Sequence, residues 1–221
     1  MEKPLEKFWQ SRLENCKIAL EANNFEVYLA DNHIQAKDLV LGKIIPGTCA
    51  KSISYGGSET LKETGLLESL RNHPDFEFFE TLHHKGSYED IWEKCRQALM
   101  ADLFLSGTNA IAETGILINL DMWGNRVGAI TFGPRHIIIL AGRNKIVSDL
   151  ESGMFRVKNH AAPLNAIRHD LDHGKRTPCV KTSYCMDCKS PDRICNTWTI
   201  TEKSYPKGRI KIILINENLG L

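Results

Sequence analysis

Gly56-Gly57-Ser58-Glu59-Thr60-Leu61-Lys62-Glu63-Thr64-Gly65 is followed fifty residues later by Ser106-Gly107-Thr108-Asn109-Ala110-Ile111-Ala112-Glu113-Thr114-Gly115. With Gly57 set on Gly107, both stretches carry a hydroxyl (Ser58, Thr108), an apolar residue (Leu61, Ile111) and a closing Glu-Thr-Gly. Each follows a short apolar run, 53–55 and 103–105, and each reads as a glycine turn that opens a helix. Such a turn lets backbone N–H groups approach an anion, and a helix N-terminus favours negative charge. A hydroxyl after glycine is also an ordinary N-cap. Capping alone does not require a matching acid and hydroxyl further on, so the pair is read as two sides of one pocket for a small anionic metabolite. Its ligand-binding candidates are Gly56, Gly57, Ser58, Thr60, Thr64, Gly107, Thr108, Asn109 and Thr114. Glu63 and Glu113 are the acid/base candidates, since a carboxylate in a partly dry pocket can have its proton affinity retuned. A capping or hydrogen-bonding role with Thr64 or Thr114 is the competing reading of each.

Working outward, apolar runs alternate with helical periodicity. Leu5, Phe8, Trp9, Leu13, Cys16 and Leu20 predict an amphipathic helix over 4–22. A strand follows over 25–30, then a helix over 34–41 that Pro46-Gly47 breaks. A strand over 50–55 delivers the first glycine turn, with a helix over 58–71, a short strand over 76–80 and a helix over 88–100. His83-His84 is placed in a solvated loop. A strand over 102–106 delivers the second turn. Residues 116–121 read as a strand, 123–126 as a turn and 127–132 as a short strand or irregular segment. His136 to Leu140 is almost wholly apolar, as at the centre of a buried sheet. Residues 145–168 read as helical with a break at Pro163, and 196–201 and 209–216 as two closing strands around Pro206-Lys207-Gly208. Strand–helix alternation predicts a single α/β domain over 1–221 with a mainly parallel sheet flanked by helices. Ligands of such sheets lie beyond the carboxyl ends of the strands, where both glycine turns fall. Arg135 and Arg143 flank the central strand, and either can clamp an anion.

Apolar residues at 42% and charged residues at 25% suit a globular core, and a formal net charge of +1 gives no field to attract nucleic acid. No apolar run has the length of a membrane span, and the start of the chain lacks an apolar signal core, so the expected location is cytoplasmic. No G-x-G-x-x-G fingerprint occurs, so no dinucleotide site of that kind is expected.

Residues 174–196 form a different kind of segment. Cys179, Cys185, Cys188 and Cys195 are spaced C-x5-C-x2-C-x6-C. Four thiolates on one turn-rich loop can surround a zinc ion or ligate a 4Fe-4S cluster, and His169 or His173 can replace one ligand of a zinc site.

The two glycine motifs, the apolar strand His136 to Leu140 and the tail Cys188-Lys189-Ser190-Pro191-Asp192-Arg193-Ile194-Cys195-Asn196 together resemble the LUD-domain family, the lactate-utilisation proteins. The tail looks like that of a small stand-alone branch. The resemblance implies a fold similar to the CoA-transferase and sugar-phosphate-isomerase superfamily. It also implies a part in oxidising L-lactate or a related 2-hydroxy acid to the 2-oxo acid, alongside iron–sulfur electron-transfer partner proteins. The cysteine loop departs from the multi-component systems, whose cysteines lie on separate ferredoxin-like subunits. The alternative is a non-redox enzyme or binding module for a CoA ester, a sugar phosphate or a similar anionic metabolite.

Overall fold

The computed structural model describes residues 2–81, 87–174 and 176–221. His83-His84 lie outside them. Helix α1 (Glu2–Ala22) leads into β1 (Glu26–Ala30). A helical run follows: α2 (His33–Leu39), a π turn (Val40–Ile44) and α3 (Ile45–Thr48). Next come β2 (Ser52–Tyr55), α4 (Glu59–Glu63), α5 (Leu66–Arg71), β3 (Glu77–Phe79) and α6 (Tyr88–Gln97). The chain continues through β4 (Leu103–Gly107), β5 (Ala110–Ala112), β6 (Ile116–Asp121), α7 (Asn125–Phe132), β7 (His136–Gly142) and β8 (Ile146–Val147). Helix α8 (Leu150–Arg156), a second π turn (Val157–Ala161), α9 (Ala162–His173) and α10 (Pro178–Thr182) precede β9 (Thr197–Thr201) and β10 (Ile210–Ile215).

The main sheet has the order β1-β10-β7-β4-β2-β3, with every pairing parallel. Side chains alternate between its faces with period two. Leu103, Leu105, Ile138, Leu140, Ile213 and Ile215 face α2, the first π turn, α4 and α5. Phe104, Ile137, Ile139, Ile212 and Leu214 face α1 and α7. Both faces are therefore dry, which is why these strands read as continuous apolar runs. A second sheet, β8-β5-β6-β9, packs Ala110, Ala112, Ile118 and Leu120 against Val157 of the second π turn.

Several expectations are corrected. The second glycine turn opens no helix: Ala110–Ala112 is a strand that pairs antiparallel with β6. The helix over 58–71 is two helices, divided at Gly65, whose φ of 63° is left-handed. Gly115, at the same place in the second copy, turns the β5–β6 hairpin with φ 85°. The shared final glycine thus meets one backbone need in two different structures. Residues 125–132 form a helix, started by Gly124 with φ 86°. Neither Pro46 nor Pro163 breaks its helix. Each directly follows a π turn in which the cap N–H reaches back five residues, Ile45 to Val40 and Ala162 to Val157. That widened turn supplies the room a proline ring needs at the preceding carbonyls. The two closing strands do not pair with each other: β9 lies on β6, while β10 sits inside the main sheet between β1 and β7.

Candidate functional site

The two glycine turns lie side by side because β2 and β4 are parallel neighbours, with Tyr55 level with Leu105. The Gly56 N–H donates to the Leu105 carbonyl at 2.9 Å. A Cβ on Gly107 would stand 2.6 Å from Ser58 Oγ, so the absence of a side chain there lets the copies touch. A Cβ on Gly56 would meet Arg126 Cγ at 2.9 Å. Ser58 caps α4 by accepting from the Leu61 N–H at 3.3 Å. Since α4 is only five residues long, its terminal dipole is weak, and anion recognition there has to come from side chains.

Cations reach this place from Lys145, Arg126 and Arg156. Lys145 follows β7 in a single 3-10 turn, Arg143–Lys145. It is 4% exposed, and its ammonium donates to Thr60 Oγ1 at 2.8 Å. No carboxylate among the described residues stands within ion-pair distance of it. Burial, then Arg156 and Arg126, push its pKa from 10.5 down to about 7, with Glu63 acting the other way.

Arg126 is the centre of a buried polar network. Its Nε pairs with Asp121 at 2.9 Å; Nη1 donates to Asn119 Oδ1 and the Gly107 carbonyl, Nη2 to Asn109 Oδ1 and the Leu120 carbonyl. All five guanidinium N–H groups are used. Asn119 Oδ1 also accepts from the Asn109 N–H, which leaves Asn119 Nδ2 a buried donor with no partner among the described residues. Arg156 is tied to the carbonyls of Asn144 and Asn109.

Residues 216–221 lie over the site. The Leu219 carbonyl accepts from Thr60 Oγ1 at 3.3 Å, and the Gly220 N–H donates to Glu63 Oε2 at 2.9 Å. A Cβ on Gly220 would fall 2.4 Å from Thr60 Oγ1 and 3.2 Å from Lys145 Nζ. Arg143 donates to Asn216 and Asn218 of the same segment and stacks over the Trp9 ring.

The predicted residues divide accordingly. Gly56, Gly57, Ser58, Thr60, Glu63, Gly107 and Asn109 gather at the carboxyl ends of β2 and β4. Thr64 Oγ1 donates to the Leu61 carbonyl within its own helix, and Thr108 Oγ1 to the carbonyls of Ala110 and Ile118. Glu113 pairs with Arg12 of α1 at 2.6 Å, away from Glu63's partner, and Thr114 is exposed at the hairpin turn. Arg135 is corrected: it precedes β7, whose His136 is level with Leu103, four residues below Gly107. That is about 13 Å along the strands, at the amino edge of the sheet. Lys145, Arg126 and Arg156 are absent from the sequence reading; the one hint is Lys145 beside the apolar Ile146-Val147 directly after the buried strand.

The four loop cysteines line one small, partly open cavity of about 20 Å³ beside Lys158 and Arg193. All seven cysteines are free thiols. Among the described residues no helix is long and apolar enough to cross a membrane.

The glycine turns and the buried cation lie at the carboxyl edge of a parallel sheet, the edge at which open α/β sheets that bind ligands hold them. The chain belongs to the LUD domain family, whose model matches residues 13–215. Among solved structures it is similar to a DUF162 family protein from Deinococcus radiodurans, with TM-score 0.51 and 15% identity, covering 94% of this chain and 98% of that one. That likeness is one of fold. No curated protein matches the chain.

Proposed function

We propose that this LUD-domain protein binds a small 2-hydroxy or 2-oxo carboxylate of the lactate–pyruvate class beside Lys145 and Thr60, beyond the carboxyl ends of β2 and β4, as a component of a lactate-oxidising system. The observation that supports this reading is Lys145, a buried ammonium whose one hydrogen-bond partner among the described residues is the Thr60 hydroxyl. An uncompensated buried cation is costly unless something of opposite charge joins it. One carboxylate supplies that charge. A phosphate would call for further donors; the neighbouring Arg126 has none free, and Arg156 spends two of its five N–H groups on carbonyls. This favours the carboxylate over a CoA ester or sugar phosphate.

In this reading Lys145 pairs with the carboxylate and Thr60 turns its hydroxyl toward the substrate oxygen. Glu63, close enough to Lys145 to raise its proton affinity, takes the hydroxyl proton. Glu113, engaged by Arg12, is the second acid/base candidate. Oxidation to the 2-oxo acid also breaks the C2–H bond, and that hydrogen leaves with its electron pair to a hydride-accepting redox partner, from which the two electrons pass singly to iron–sulfur partner proteins. Residues 216–221 must lift to admit the ligand, since they cover Lys145 and Thr60.

Calorimetric titration with L-lactate, pyruvate, acetyl-CoA and a sugar phosphate tests the assignment. Binding of lactate or pyruvate that is lost in Lys145→Met supports it. Binding of the phosphate-bearing compounds with no response to either acid replaces it with the non-redox alternative.

A further inference from the structure

We propose that Cys179, Cys185, Cys188 and Cys195 hold one tetrahedrally bound zinc ion in the cavity between α9 and the 184–196 loop, where all four residues line the same small space. This site is separate from the Lys145–Thr60 site and stands or falls independently of it.

The three other cysteines lie in other places: Cys16 and Cys95 are buried in helices, and Cys49 is exposed. The four convergent ones come from α10, a two-residue-spaced knuckle and the residue two before β9. Asp187, between Cys185 and Cys188, has φ 47°, and Ser183 has φ 55°. Left-handed backbone at non-glycine residues costs free energy and persists where the surroundings impose it. Here it turns the knuckle so that both thiols face the cavity. Arg193 donates to the carbonyls of Cys188 and Cys195, each at 2.9 Å, pulling the last two ligands together. Asn196 anchors the loop's end through its N–H to the Asp121 carbonyl and its side chain to that of Met122.

Size distinguishes the occupants. A space of about 20 Å³ admits roughly one water-sized body, which suits a single ion and not the eight-atom core of a cubane cluster. Charge agrees: a zinc tetrathiolate is formally a dianion, and Lys158 and Arg193 both line the cavity. Among the described residues no three His, Cys, Asp or Glu donors stand at metal-binding spacing; the thiols line the cavity without forming a coordination shell, and binding has to bring them together. Packing alone gives the loop little to hold it, since between 183 and 196 only Ile194 is buried. A metal supplies the missing cross-link.

The test is elemental analysis of full-length protein purified anaerobically, with an optical spectrum. The expected result is colourless protein with about one zinc per chain, released by a mercurial and detected with a chromogenic chelator. Cobalt(II) in place of zinc should give the intense thiolate-to-cobalt bands of a tetrahedral site. Cys185→Ser and Cys188→Ser should each lose the metal. Mercurial release from the unmutated protein gives the same answer if those variants do not fold. Iron with acid-labile sulfide would overturn the assignment in favour of a cluster, and protein free of metal would overturn it altogether.

Discussion

Lys145 and Thr60, eighty-five residues apart in sequence, meet at 2.8 Å beneath residues 216–221. The pairing leaves a buried ammonium whose pKa falls from 10.5 to about 7. Between those values the unfolded chain carries a proton that the folded chain lacks, so folding stability rises with pH across the window. The contribution is fully present above 10.5 and is lost as pH falls through about 7. The gap corresponds to about 5 kcal/mol. Urea midpoints of ligand-free protein, measured from about pH 6 to 9, should climb, and Lys145→Met should flatten the climb. Equal pH profiles for the two proteins would refute a depressed Lys145.

Arg126→Lys should cost about 3–5 kcal/mol, despite keeping the charge. An ammonium cannot span Asp121, Asn109, Asn119 and two carbonyls at once, and the orphaned acceptors are buried. Denaturant unfolding checks this. A loss below about 1 kcal/mol would mean the network is replaceable.

Gly107→Ala should destabilise by about 1–3 kcal/mol, because the new methyl lands on Ser58 Oγ. Ser58→Gly alone should cost only a few tenths, as glycine is a tolerable N-cap. The double variant should recover most of the Gly107→Ala loss. Simple addition of the two costs would show that the glycine turns are not in contact.

Gly65→Ala and Gly115→Ala separate two reasons for the repeated glycine. Both positions are left-handed, but a Cβ at Gly65 finds its nearest neighbour at 3.7 Å, whereas at Gly115 it would lie 2.6 Å from the Ala19 carbonyl. The first change should cost about 1 kcal/mol and the second well above that, as both strain and overlap apply. Comparable thermal unfolding of the two variants would remove the distinction.

The central strands were readable because β4, β7 and β10 are buried on both faces and therefore spell largely apolar runs. The second glycine motif was not, since Ala110-Ile111-Ala112 is a three-residue strand whose identity depends on β6 and β8 beside it. Val127 to Phe132 is rich in β-prone side chains, yet it is helical because it packs Val127, Ala129 and Ile130 inward behind the Gly124 turn. The prolines misled for a local reason, the π turns ahead of them. At the site, Ser58, Thr60 and Asn109 were visible through the repeat, while Lys145 and Arg126 were not. A charged residue normally signals solvent, and the burial of Lys145 is imposed by a segment some seventy-five residues further on.

The position of β10 has a consequence for how the chain is made. Strand β1 has β10 as its sheet neighbour, and β10 fills the gap between β1 and β7. During synthesis the rest of the sheet leaves the ribosome first, with one flank of β7 open and β1 unattached. The sheet closes only when residues 210–215 arrive and slide between them. Such late, long-range pairing is slow, and until β10 pairs it leaves one flank of β7 and both edges of β1 exposed.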